Sequence, residues 1–173
     1  MRGDRATARR LAGLFCLYLV AGCVSRADAE YAQPVTRGEV KRLVAAEALR
    51  MHVPVPLALA VAHAESNFDP AAHSHKGARG VMQIMPATAR GEYGIAPHLL
   101  WNARINIRLG LHYLRRLLDR YDGRVELALS FYNGGSAVGD LPRARVIPAT
   151  AGYVARVQRL RLHYRRLMPR GTV

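Results

Sequence analysis

A mainly α-helical domain, interrupted by one short β or turn segment, is what this 173-residue sequence predicts. Three observations lead there. Apolar residues recur at steps of three and four in one segment after another. Pro, Gly, Asn and Thr bound those segments at positions that start or stop helices. Only Val81-Met82-Gln83-Ile84-Met85 is apolar yet too short for a helix, so it reads as a strand or a turn. Half of the residues are hydrophobic, enough to fill one core.

The N-terminus reads as an export signal. Arg2, Arg5, Arg9 and Arg10 precede the apolar run Leu11 to Val20, and small residues follow it. That run is shorter than the about 20 residues a membrane-spanning helix needs. Two processing sites compete. Val20-Ala21-Gly22-Cys23 resembles a bacterial lipobox, in which Cys23 would carry a lipid and anchor the protein. Ala27-Asp28-Ala29 fits ordinary signal peptidase and would release a chain beginning at Glu30. Residues 1–29 are therefore expected to be a signal peptide and 30–173 a single mature domain. Cys16 and Cys23 are the only cysteines, so residues 30–173 hold neither a disulfide nor a thiolate metal site. His63, His73 and His75 match no zinc spacing, and no metal or cofactor is expected.

The helices follow in order. Thr36-Arg37-Gly38-Glu39 is a capping-box pattern, after which Val40, Leu43, Val44 and Ala48 form a stripe towards Met51. Pro54 and Pro56 suit the start of the next helix. In that helix Glu65 continues the face of Leu57 and Val61, and Pro70 requires the chain to leave the helix before Asp69. A carboxylate among apolar neighbours, at the negative end of a helix dipole, is disfavoured when ionised. Its pKa should rise, which suits a general acid near neutral pH. Spacing alone leaves open a Glu65 that turns outward at a fraying end.

Beyond the His73–Gly80 loop and the short apolar run, Pro86 starts a brief helix through Arg90, stopped near Gly91 and Gly94. Asn102 is expected to cap a long helix through Tyr121, with Ile105, Leu109, Tyr113 and Leu117 on one face. Val125 to Tyr132 forms another, closed by Asn133-Gly134-Gly135. Thr150 is expected to cap the last, with Val154, Val157, Leu160 and Tyr164 inward and arginines outward.

The net charge is +14. Without residues 1–29 it is +11, from 21 basic against 10 acidic residues. Beyond Asp140 there are eight Arg and no Asp or Glu. Nucleic acid is not the expected partner, because an exported protein seldom meets it and no aromatic-interleaved reading surface is present. Attraction to anionic wall polymer or lipid headgroups and a merely solvated face both remain open.

Several blocks together resemble glycoside hydrolase family 23, the soluble-lytic-transglycosylase type, related in fold to goose-type lysozyme. Glu65-Ser66 resembles its catalytic Glu-Ser, and Asn67-Phe68-Asp69-Pro70 the turn that follows. Gly80-Val81-Met82-Gln83-Ile84-Met85-Pro86, with Thr88 and Ala89, resembles its Gly-Leu-Met-Gln block. Asn106-Ile107, Gly110 and Tyr113-Leu114 resemble its Asn-Ile-x-x-Gly-x-x-Tyr-Leu helix. Ser130-Phe131-Tyr132-Asn133-Gly134-Gly135 resembles Ala-Tyr-Asn-Ala-Gly, and Thr150 to Val154 the closing Thr-x-x-Tyr-Val. The departures are Val81 for Leu, Gly134 for Ala with a looser turn expected, Ala149 where many members carry Glu, and a short segment between Asn133 and Pro148.

The resemblance implies a lysozyme-like α+β fold, a compact helical domain with its short β or turn segment beside a cleft. It implies cleavage of the N-acetylmuramic acid–N-acetylglucosamine bond of peptidoglycan by a single Glu, acting first as acid and then as base. A 1,6-anhydro product would result, with no water consumed. Catalysis would fall to Glu65. Ser66 and Gln83 would bond substrate, Met82 would line the cleft, Tyr132 with Asn133 would hold sugar and glutamate in register, and Tyr153 would approach Glu65. For Met82 and Tyr132 plain core packing is the other reading. The setting would be the periplasm, with an outer-membrane anchor if Cys23 is lipidated. The expected partners are glycan strands, for a monomer that small members of the family place with secretion or pilus machinery. The rival readings are a water-using lysozyme-type hydrolase, a non-catalytic wall-binding component of such a machine, and a basic membrane-active domain.

Overall fold

Residues Gln33–Val173 form one unit, and the computed structural model describes residues 36–168. The expected signal peptide, Cys23 and the Ala27–Ala29 site lie outside the described residues. The helices are α1 (Arg37–Arg50), α2 (Val55–Ser66), α3 (Pro86–Tyr93), α4 (Ala103–Arg120), α5 (Val125–Gly134) and α6 (Pro148–Leu167). Single 3-10 turns occupy Pro97–Trp101 and Gly135–Val138. Among the described residues no helix is long and apolar enough to cross a membrane.

Helix α2 is apolar on every side, and a helix of that kind belongs in the interior. Leu57, Ala58, Ala60, Val61 and Ala62 have no exposed surface. Helix α6 packs along it, α1 lies against it, and α5 joins α6 to α4. The predicted start of α1 holds. Thr36 Oγ1 accepts the Glu39 amide at 3.2 Å while the Glu39 carboxylate accepts the Thr36 amide at 2.9 Å. Val81 to Met85 is a turn, tied to its neighbours by isolated bridges between His73 and Arg79 and between Arg79 and Ile84.

Two details of the expected elements change. Helix α4 starts under the Asn102 cap as expected, and Leu109 and Leu117 are buried as their spacing predicts, but the buried face also takes in Asn106, Ile107, Gly110, Leu111 and Leu114, while Ile105 and Tyr113 are only half-buried. On the side of α4 towards α1, Glu47 of α1 is 1% exposed and holds Arg104 at 2.7 Å and Arg108 at 3.0 Å. Burial alone would raise the Glu47 pKa, but the arginine contacts outweigh it and the net shift is downward. Helix α6 begins at Pro148 rather than at a Thr150 cap, since a proline suits the first helical position. The Thr150 hydroxyl is instead buried at 2.6 Å from Ser130 Oγ.

Gly134 does not loosen its turn. A Cβ there would lie 2.7 Å from Thr150 Cγ2 and 2.9 Å from Ile147 Cδ1, so α5 and the start of α6 meet where a side chain has no room. Its φ of −115° is open to any residue, and space alone decides. Gly134→Ala is expected to cost about 1–3 kcal/mol, as overpacking does. Urea unfolding would register this as a lower midpoint, and an unchanged midpoint would contradict the close approach.

Candidate active site

Glu65 lies one residue before the end of α2. The helix stops because Asn67 and Phe68 turn left-handed, with φ of 53° and 63°. Two such residues in succession are strained, Phe68 above all, and persist only where packing dictates them. Phe68 is buried, with its ring 5.6 Å from His63 and 6.4 Å from Tyr164. The turn is completed by Asp69, whose carboxylate accepts the Ala71 amide at 2.9 Å.

The Glu65 side chain is half-buried. Tyr153 of α6 donates its hydroxyl to Glu65 Oε1 at 2.5 Å. Loss of solvent around the carboxyl raises its pKa to about 7, and the Tyr153 bond and the Arg156 charge only partly offset that rise. Desolvation first, and then the neighbouring Glu65, hold the Tyr153 hydroxyl well above its ordinary value, so it remains a donor. Arg156, one turn further along α6, donates from Nη2 to the Ala64 carbonyl at 2.6 Å.

The Gly80–Met85 turn forms the facing side. Ser66 Oγ donates to the Val81 carbonyl at 2.8 Å and accepts the Asp69 amide at 3.1 Å, which ties the end of α2 to this turn. The Gln83 amide donates to Ala72 and Gly80 carbonyls at 3.1 and 2.9 Å while its backbone is left-handed, φ 48°. Beneath the turn lies Asn106, with no exposed surface. Its Oδ1 accepts the Met82 amide at 2.8 Å, and its Nδ2 donates to Arg79 and Leu100 carbonyls at 2.8 and 3.0 Å. Gly80 is required here: its φ is +71°, and a Cβ would sit 2.5 Å from Asn106 Nδ2.

Tyr132 of α5 donates to the Met82 carbonyl at 2.8 Å, with its ring 5.5 Å from Tyr113. Burial, followed by the influence of Glu65, raises its pKa well above the ordinary value. Tyr113 also lines a cavity of about 570 Å³ shared with Glu92, Arg116, Arg120 and Phe131.

The structure thus brings Glu65, Ser66, Gln83, Tyr132 and Tyr153 to one place, with differing chemistry. The Ser66 hydroxyl and the Gln83 amide are engaged inside the protein. Met82, expected to line the cleft, instead has a side chain with no exposed surface, set against Gly110 where the missing Cβ leaves room. Its backbone is what reaches the site. Asn133 is exposed, and its side chain makes no hydrogen bond among the described residues. Asn106 and Arg156 were missed as site residues. The signal for Arg156 was its place one turn after Tyr153, on the face that meets α2. Among the described residues no group of three or more His, Cys, Asp or Glu is placed to hold a metal.

Comparison with known proteins agrees with the geometry. Over 82 residues the chain is 39% identical to a membrane-bound lytic murein transglycosylase F of Desulfosudis oleivorans, a match over 44% of this chain and 17% of that protein. It is 41% identical over 80 residues to a transglycosylase of Enterobacteria phage PRD1, covering 46% of this chain and 29% of the phage protein. The crystal structure of the 70 kDa soluble lytic transglycosylase of Escherichia coli superposes with a TM-score of 0.62 at 26% identity, over 78% of this chain and 25% of that one. In each case the chain spans less than a third of its relative's length. The transglycosylase SLT domain matches residues 42–140, more than half of the sequence. The chain belongs to the transglycosylase SLT domain family.

Proposed function

We propose that this domain is a lytic transglycosylase acting on the glycan strands of peptidoglycan. One observation carries the reading: Glu65 is a carboxyl with a pKa of about 7, bonded to Tyr153, and among the described residues no other carboxylate acts on it. Two-carboxylate glycosidases place a second acid across the scissile bond. The nearest acid in sequence, Asp69, is occupied in its own turn. A lone acid suffices when the nucleophile belongs to the substrate.

In the proposed reaction Glu65 gives its proton to the oxygen linking N-acetylmuramic acid to N-acetylglucosamine, and the bond from that oxygen to the muramoyl anomeric carbon breaks. The Glu65 carboxylate then takes the proton of the muramoyl C6 hydroxyl as its oxygen bonds to the anomeric carbon. The products are a free N-acetylglucosamine end and a 1,6-anhydromuramoyl end, and Glu65 is protonated again. Tyr153 steadies the carboxylate between the two transfers. Ser66 and Gln83 shape the turn facing Glu65, and Asn133 is the exposed polar group nearest the end of α5.

The N-terminal pattern supports export, with residues 1–29 removed and 30–173 working in the periplasm, anchored at the outer membrane if Cys23 is lipidated. Digestion of purified peptidoglycan with residues 30–173, with products read by mass, tests the proposal. Anhydromuramoyl ends are the expected outcome. Reducing muramoyl ends would establish a lysozyme-type hydrolase instead, and intact wall to which the protein still binds would make it a non-catalytic component.

A further inference from the structure

Helix α2 ends where its acid begins to work, and that end is closed from another helix. In a continuing helix the Ala64 carbonyl would accept the Phe68 amide. Because Asn67 and Phe68 turn left-handed, the Asn67 amide goes to His63 and the Phe68 amide to Ala62. The Ala64 carbonyl, in the residue next to Glu65, is left among the orphan acceptors of a helix C-terminus. Arg156 reaches it from α6 at 2.6 Å. A cation at that end also opposes the negative pole of the helix, which otherwise acts on Glu65.

From this geometry we infer that Arg156 is a positioning residue for the acid. It fixes the last turn of α2 so that Glu65 meets the Tyr153 hydroxyl, and it places a positive charge beside the carboxylate that forms when the proton leaves. The inference rests on Glu65 as the acid. Arg156 and Tyr153 sit three residues apart on α6, so one helix face supplies both groups and holds the catalytic turn from one side. The charge helps most in the transition state, when Glu65 is losing its proton, and a fixed cation needs no reorganisation to provide that help. The groups acting on Glu65 are Tyr153 and Arg156, both from α6, and Glu65 in turn acts on Tyr132 of α5. Lys41 of α1 acts on His63 instead.

The test measures kcat and KM on soluble glycan oligomers of peptidoglycan across pH, for wild type, Arg156→Gln, Arg156→Ala and Arg156→Lys, with thermal melts beside them. The neutral variants are expected to lose about 10-fold in kcat at pH 6 with KM within about twofold, the size of effect that follows loss of one charged hydrogen bond. Their basic limb should move to higher pH, because a cation that favours ionised Glu65 is gone. Arg156→Lys should return the limb towards wild type while recovering only part of kcat, since an ammonium lacks the guanidinium's fixed fork.

A fall in kcat with the basic limb unmoved would overturn the proposal and leave Arg156 as packing only. So would a rise in KM at constant kcat, the sign of a substrate contact. Wild-type rates in the glutamine and lysine variants, both conservative enough to fold, would overturn it too. An inactive wild type would instead be the failure of the Glu65 reading, a result this comparison keeps separate.

Discussion

Glu65→Gln is expected to lower the rate of glycan cleavage by about 10²–10⁴-fold, the usual contribution of a positioned acid–base group. Glutamine keeps the length and can still accept the Tyr153 hydroxyl bond now seen at 2.5 Å, so the turn at Asn67 and Phe68 should stand. What it lacks is a proton to give to the leaving oxygen and a carboxylate to take one from the C6 hydroxyl. The same residue is asked to do both jobs, and no other carboxylate acts at that position to supply either. The variant should therefore bind glycan with little change in affinity and melt within a few degrees of wild type. Its rate on peptidoglycan oligomers, compared at equal concentration, checks the expectation. A rate within tenfold of wild type would mean that another group carries the proton.

The second large effect concerns a residue that touches no substrate. Asn106→Ala is expected to cost about 3–5 kcal/mol of stability. Three hydrogen bonds disappear together, and the Met82 amide and the Arg79 and Leu100 carbonyls are left in a space with no exposed surface. Each stranded buried group costs about 1–3 kcal/mol, and neighbouring losses do not simply add. That is a large part of the 5–15 kcal/mol that holds a typical domain together. The loss should also loosen the Gly80–Met85 turn, whose Met82 carbonyl receives Tyr132 and whose Val81 carbonyl receives Ser66. Activity should fall with stability, unlike in Glu65→Gln. Urea unfolding is the check, and a change below about 1 kcal/mol would show that the cluster is not the support described.

Local chemistry made much of this fold legible. The capping box at Thr36, the apolar continuity of Leu57, Val61 and Glu65, and the stop imposed by Pro70 are written within a few residues of where they act. The turn that carries Glu65 could be placed for that reason. What was not legible depends on partners far along the chain. On α4 the expected stripe holds at Leu109 and Leu117 but misses the rest of the buried face, because hydrophobic spacing ignores Asn and Gly, and Asn106 and Gly110 are buried for what they meet, not for being apolar. Glu47 is buried because Arg104 and Arg108 of α4 surround it, partners more than fifty residues away that its own neighbours in sequence do not name. Arg156 is exposed, as the outward arginines of α6 were expected to be, and its place one turn after Tyr153 points towards the site, but the Ala64 carbonyl it meets lies 92 residues earlier and is not written near it. Met82 shows the opposite case. The resemblance pointed to its side chain, whereas the backbone of that residue is what the site uses.

The account depends on a carboxyl kept neutral near pH 7 by loss of solvent, and that state can be observed directly. Glu65 in residues 30–173 should be titrated by carbon-detected NMR with labelled glutamate, assigned by its absence in Glu65→Gln. The predicted result is a midpoint of about 7, up from 4.5. As pH rises through that midpoint the acid loses its proton, so kcat should decline over the same range. A midpoint close to 4.5 would leave Glu65 ionised at neutral pH and contradict its role as the acid.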